Sequence, residues 1–162
     1  MRYNKIRKMD ISNGEGIRVS IFMQGCTFNC KNCFNPETHD FKGGKKFNDE
    51  TIEKVLELCD NEHIAGLSIL GGEPMHPDNI EGTTLLAKRF KEKFPNKNIW
   101  VWSGFKFEEY LKDKEVLKYI DVLIDGQYVD ELRDPTLQWR GSSNQRVIDV
   151  QKSLKKGSVI EY

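Results

Sequence analysis

The sequence predicts a single-domain α/β fold over residues 1–162, a partial (open) TIM-like barrel of about five parallel β/α units. Three observations predict it. Short apolar runs alternate with stretches of helical period along most of the 162 residues. The strands are apolar and follow helices in regular alternation, which argues for a parallel sheet with right-handed crossovers. The units are too few to close an eight-stranded barrel, which leaves the sheet open.

Residues 1–13 read as a lead-in with a short edge strand around Tyr3 to Ile6. Ile17, Val19, Ile21 and Met23 then alternate with Arg18, Ser20, Phe22 and Gln24, the period of two of a strand. A cysteine-rich loop follows, and residues 36–46 continue as loop around Gly43-Gly44. Asn48 is placed to cap a helix with Asp49 and Glu50 in its first turn, and Phe47 is placed to staple onto Ile52. Ile52, Val55, Leu56 and Cys59 share one face of that helix.

His63 to Leu70 is the second strand, ending at Gly71-Gly72-Glu73-Pro74. Pro77-Asp78-Asn79 open a helix over 80–93, with Leu85, Leu86, Phe90 and then Phe94 as apolar positions. Asn98 to Trp102 is a third strand, stopped by Ser103-Gly104. Phe107 to Tyr119 carries apolar residues at helical spacing, and Ile120 to Asp125 is a fourth strand ending in Gly126-Gln127-Tyr128. Residues 129–145 are polar and show no helix. Arg146 to Val150 is a fifth strand, with a terminal one over Ser158 to Glu161.

Lys plus Arg and Asp plus Glu both number 25, so no global field would hold the chain on nucleic acid or an anionic membrane. No apolar stretch follows the basic N-terminus, so no secretory signal is read there and a cytoplasmic location is expected. In that reducing compartment clustered cysteines are metal ligands or redox groups rather than disulfides.

Cys26, Cys30 and Cys33 fall within eight residues, straight after a strand, and can converge on one metal centre. A 4Fe-4S cluster on three cysteines keeps one iron open, and an open position makes a metal site catalytic. Cys59 could supply a fourth ligand, but its place on a buried helix face favours a core role. A structural zinc site is the competing reading, although zinc sites bring cysteine pairs from two places and no second pair is present.

The cysteine loop, Gly71-Gly72-Glu73-Pro74, Ser103-Gly104 and Asp125-Gly126-Gln127 each follow the carboxyl end of a strand, where parallel α/β folds build their sites. Gly71 and Gly72 would let a ligand approach the backbone, and Glu73 could accept from a ligand ammonium group. Ser103 and Gly104 could meet a ribose or carboxylate. Asp125 reads equally well as a site residue or as a strand-end turn residue.

The pattern Gly14-x-Gly16-x-Arg18-x3-Phe22-x2-Gly25-Cys26-x3-Cys30-x2-Cys33-x-Asn35 resembles the glycyl-radical-activating branch of the radical S-adenosylmethionine (radical SAM) enzymes. Gly71-Gly72-Glu73-Pro74 is similar to that family's methionine-binding segment. Trp100 to Gly104, Asp121 to Tyr128 and Leu137 to Arg146 resemble the activating proteins of anaerobic ribonucleoside-triphosphate reductase, from about Asn13 to Val150. Where many radical SAM enzymes carry an aromatic residue before the third cysteine, this chain has Asn32, so Phe34 or local backbone must substitute against the adenine.

The resemblance implies an iron–sulfur oxidoreductase whose cofactors are a 4Fe-4S cluster and S-adenosyl-L-methionine. Cys26, Cys30 and Cys33 would be the cluster ligands. Asn32, Cys33, Phe34, Gly71, Gly72, Glu73, Ser103, Gly104 and Asp125 would bind the cofactor. No catalytic side chain beyond the cluster is implied, since the cofactors carry the hard chemistry. Reductive cleavage would give a 5′-deoxyadenosyl radical that takes hydrogen from a glycine of the large subunit of the class III reductase. The partners implied are that subunit and an electron donor such as flavodoxin, with no nucleic acid and no membrane. Trp139, Arg140 and Ser142-Ser143-Asn144 would lie near the mouth that admits the glycine loop. The alternatives are an activase of another glycyl-radical enzyme, such as pyruvate formate-lyase, or a structural metal-binding module.

Overall fold

The computed structural model describes all 162 residues, Met1–Tyr162. The strands are β1 (Arg2–Asp10), β2 (Arg18–Gln24), β3 (Lys45–Lys46), β4 (Gly66–Gly71), β5 (Asn98–Ser103), β6 (Val122–Asp125) and β7 (Arg146–Asp149). The α-helices are α1 (Asp49–Cys59), α2 (Ile80–Lys93) and α3 (Val150–Lys156). One seven-stranded sheet runs in the order β3-β1-β2-β4-β5-β6-β7. β2, β4, β5 and β6 are parallel neighbours, whereas β1 with β2, β1 with β3 and β6 with β7 are antiparallel.

The expectation of about five parallel units in a partial TIM-like barrel is therefore corrected to a mixed, open sheet with four parallel strands. The cause lies in residues 126–145. A parallel return needs a crossover, usually a helix. This segment holds only a one-turn 3-10 helix, Asp130–Leu132, so the chain re-enters from the same rim and β7 runs antiparallel. At the other edge the short strand predicted at Tyr3 to Ile6 extends to nine residues paired with β2.

The helix starts follow from local chemistry. Asn48 Oδ1 accepts the Thr51 N–H at 3.1 Å while Thr51 Oγ1 accepts the Asn48 N–H at 3.2 Å, a reciprocal cap for α1. Phe107–Tyr119 does not form one helix. It splits into a π-helical turn, Phe107–Leu111, and a 3-10 turn, Glu115–Tyr119. The five residues from Leu111 to Val116 would rotate a continuous helix about 140° past a full turn, off the core face, yet both side chains are fully buried. α3 was not expected from the sequence; Asp149 caps it through the Lys152 N–H at 3.1 Å. The terminal strand shrinks to a single bridge between Ile148 and Glu161.

Side-chain alternation divides the sheet into two faces. Val19, Ile21, Met23, Leu67, Ile69, Ile99, Val101 and Leu123 join Ile52, Leu56, Leu86 and Phe90 of α1 and α2 in the main core. Trp100, Val122 and Ile124 face the other way, with Trp102, Trp139 and Val147 packed on them. No helix covers this second face over its centre, and the site opens onto it. No helix is long and apolar enough to cross a membrane.

Candidate metal centre at the carboxyl rim of the sheet

Beyond Gln24 the chain leaves the sheet, and two backbone bonds pin the start of the cysteine loop. Gly25 donates to the Thr38 carbonyl at 2.6 Å and Cys26 to the His39 carbonyl at 3.2 Å. Asn29 and Asn32 adopt left-handed backbone (φ 50° and 56°), which Asn tolerates better than most residues, and Cys33 N–H closes onto the Cys30 carbonyl. Cys26, Cys30 and Cys33 are free, half-buried and line one cavity of about 530 Å³. Phe34, Gly71, Gly72, Glu73, Ser103 and Gly104 line the same cavity. Asn32 and Asp125 do not.

Burial pushes the Cys26 thiol up to about 11, with the Glu73 and Cys30 charges adding to it. Burial also raises Cys30, helped by Cys33. Thiols held in this state are poor nucleophiles, and only the charge of a bound metal would make them thiolates. No three His, Cys, Asp or Glu side chains converge as ligands of a single ion. Three free thiols along one wall suit a multi-iron cluster, whose ligand sulfurs bind separate irons and need not meet at a point. Cys59 lies in the α1 core at 0% exposure, and burial pushes its thiol up to about 12.

The glycines at the end of β4 serve the neighbouring strand. Gly71 has φ 117°, and a Cβ there would sit 2.5 Å from the Met23 backbone; one on Gly72 would sit 2.6 Å from the Gly25 carbonyl. Only glycine lets the two turns approach this closely. Glu73 is buried (1% exposed) and accepts from Ser103 Oγ at 2.7 Å, Gly104 N–H at 2.6 Å and Met75 N–H at 2.9 Å. Residues expected to meet the ligand separately are thus joined to one another. Burial outweighs these donors and raises the Glu73 carboxyl to about 7.

Asp125 points to the helix side of the sheet. It accepts from Arg146 Nε and Nη2 at 3.0 and 2.6 Å and from the Phe107 N–H at 2.9 Å. Asn32 donates to Asp130 Oδ2 at 3.0 Å, and Tyr128 donates to Asp130 Oδ1 at 2.8 Å. Phe34 packs at a tilt against Tyr128, with ring centroids 4.9 Å apart. The cysteine loop is thereby fastened to the 126–145 segment.

Trp139 and Arg140 line the cavity as expected, while Ser142 is buried and accepts the Val129 N–H. Trp102, Phe28, Gln127 and Tyr128 also line it. Trp102 and Gln127 carried a signal, since each stands at the end of a strand where sites are built. Phe28 carried none.

Residues 12–148 match the family of 4Fe-4S single cluster domains. Anaerobic ribonucleoside-triphosphate reductase-activating proteins of Haemophilus influenzae and Enterobacteria phage T4 are each 41% identical to this chain, over 148 and 147 residues. The alignments cover 90 and 91% of this chain and 96 and 93% of those proteins. The protein of that name from Salmonella typhimurium is 41% identical over 150 residues, covering 91% of this chain and 97% of its own. The chain belongs to the family of anaerobic ribonucleoside-triphosphate reductase-activating proteins. The matched 4Fe-4S domain takes in every residue lining the cavity except Arg7. The 4Fe-4S domain match supports an iron–sulfur cluster in this chain, and the structural zinc reading loses its support.

Proposed function

We propose that this protein, acting as one domain over residues 1–162, is a radical SAM activase that installs the glycyl radical of the class III reductase. One observation carries this reading: the three cysteines, the Gly71-Gly72-Glu73 turn and the Ser103-Gly104 turn line a single cavity at the carboxyl rim. Cys26, Cys30 and Cys33 would hold the cluster and leave one iron for the amino and carboxylate groups of S-adenosylmethionine. When bound, these cofactors supply a one-electron cleavage that yields methionine and a 5′-deoxyadenosyl radical able to take hydrogen from a glycine.

The chain's own residues bind, orient and shield. Glu73, tied to Ser103 and Gly104, fixes the turn that receives the polar end of S-adenosylmethionine. Phe34 and Tyr128 offer an aromatic wall for the adenine in place of a residue at position 32. Phe28, packed edge-on against Phe105 at 4.9 Å, and Trp102 keep water from the reacting centre. Trp139 and Arg140 stand where a glycine loop of the reductase would enter. An electron donor such as flavodoxin and a cytoplasmic setting complete the reading. Anaerobic reconstitution followed by S-adenosylmethionine and dithionite should release 5′-deoxyadenosine; a reconstituted protein that releases none contradicts it.

A further inference from the structure

We infer that the β3–β1 edge of the sheet is the docking face for an acidic one-electron carrier that reduces the cluster, an inference that rests on the proposed function. Residues 1–9 hold Arg2, Lys5, Arg7 and Lys8 and no carboxylate, and residues 41–48 hold Lys42, Lys45 and Lys46 and no carboxylate. β1 and β3 bring the two stretches side by side, with Arg2 opposite Lys46 and Tyr3 opposite Lys45. Arg2 spends its guanidinium on the Gly43 and Gly44 carbonyls at 2.7 Å each, which fixes the loop that carries the lysines.

The lysines themselves are unspent. Lys8, Lys42, Lys45 and Lys46 are exposed, and the only ion pair on this edge is a long one, Arg7 to Asp10 at 3.9 Å. Some cations elsewhere are paired: Arg89 has Asp49 and Glu53, Lys91 has Asp121, Arg146 has Glu108 and Asp125. Lys42, Lys45 and Lys46 thus stand together beside β1, exposed and without a carboxylate partner, in a chain of zero net charge.

The edge also adjoins the metal centre. Arg2 pairs with Gln24, two residues before Cys26 along the same strand end, and Cys26 N–H bonds to His39 in the loop leading to Lys42. β6 and β7, which the 126–145 segment connects, stand at the opposite end of the strand order from β3 and β1. Electron-transfer encounters bury little area and depend on electrostatic steering, which free lysines supply. In the transfer one electron leaves the carrier and enters the oxidised cluster, and no bond forms or breaks.

The test uses the cluster-loaded protein, a reduced flavodoxin as probe, and the triple variant Lys42→Glu, Lys45→Glu, Lys46→Glu, none of which lines the cavity. Binding of labelled flavodoxin is measured by anisotropy from about 0.02 to 0.2 M salt, beside cluster reduction by flavodoxin and by dithionite. The dock predicts a Kd weakened by about tenfold or more at low salt, a flattened salt dependence and an unchanged dithionite-driven reaction. The milder Lys→Gln set at the same positions should show a smaller shift in the same direction. Unchanged Kd and salt dependence would overturn the dock and leave the lysines as protection of a sheet edge. Loss of reductase-subunit binding with flavodoxin binding intact would overturn it too. If the unsubstituted protein shows no dithionite-driven cleavage, the proposed function fails first and takes the dock with it.

Discussion

Glu73 Oε1 lies 2.6 Å from the backbone nitrogen of Gly104, so a buried carboxylate joins the turn after β4 to the turn after β5. Its pKa is raised from 4.5 to about 7, chiefly by burial. Between those values the folded protein binds the proton that the unfolded chain has released. The stabilisation is therefore complete below about pH 4.5 and lost as pH rises through 7, an effect on the order of 3 kcal/mol. Melting of the metal-free protein across this window should show the decline, and Glu73→Gln should flatten it. Equal slopes for both proteins would contradict the assignment.

The four cysteines separate by environment. Replacing Cys26, Cys30 or Cys33 by Ala should abolish stoichiometric iron and sulfide after anaerobic reconstitution. Cys59→Ala should keep full iron content and lose about 1–2 kcal/mol of stability from the small cavity left in the core. Iron loss in the Cys59 variant would make it a ligand.

Arg18 is fully buried at the amino end of β2, far along the strand from the cysteines. It donates to Ser68 Oγ, the Leu67 and Asn98 carbonyls and the Glu15 carbonyl, and stacks over Trp100. Burial lowers its pKa to about 10. Gly14, at φ 107°, leaves room for it, since a Cβ there would sit 2.8 Å from Arg18 Cδ. Arg18→Met should cost about 2–4 kcal/mol by orphaning these acceptors. Urea midpoints would report that loss, and the folded fraction should still take up iron normally.

This shows what the sequence made legible. The cysteine spacing and the strand-end turns pointed to residues that line one cavity at the carboxyl rim, because ligand spacing and strand termini are local properties. The role of Gly14-x-Gly16-x-Arg18 was not local: the motif accompanies the cysteines in sequence but braces the opposite end of the sheet. Ile124 faces the cavity side, so a period of two turns Asp125 toward the helices. The antiparallel return of β7 was also legible, in the missing helix over 129–145. The Asn32–Asp130 contact joins residues 98 apart in sequence, and no periodicity reveals such a pair.

The Asp125–Arg146 pair supports the fold from behind the site, with Glu108 as the outer partner of Arg146 at 2.7 Å. Arg146→Ala would leave the Asp125 carboxylate buried without its counter-charge, at a cost of about 3–5 kcal/mol. Denaturation should register that loss, while the cleavage rate per folded, cluster-loaded molecule should stay within about twofold. A much larger drop in that rate would return Asp125 to the cofactor's surroundings.

The most direct measurement is anaerobic EPR of the reconstituted protein mixed with S-adenosylmethionine, a reductant and the large subunit of a class III reductase. A glycyl-radical doublet on the reductase, absent when Cys26, Cys30 or Cys33 is replaced, is the result the proposed function predicts. No doublet, with 5′-deoxyadenosine still released in the same mixture, would contradict it.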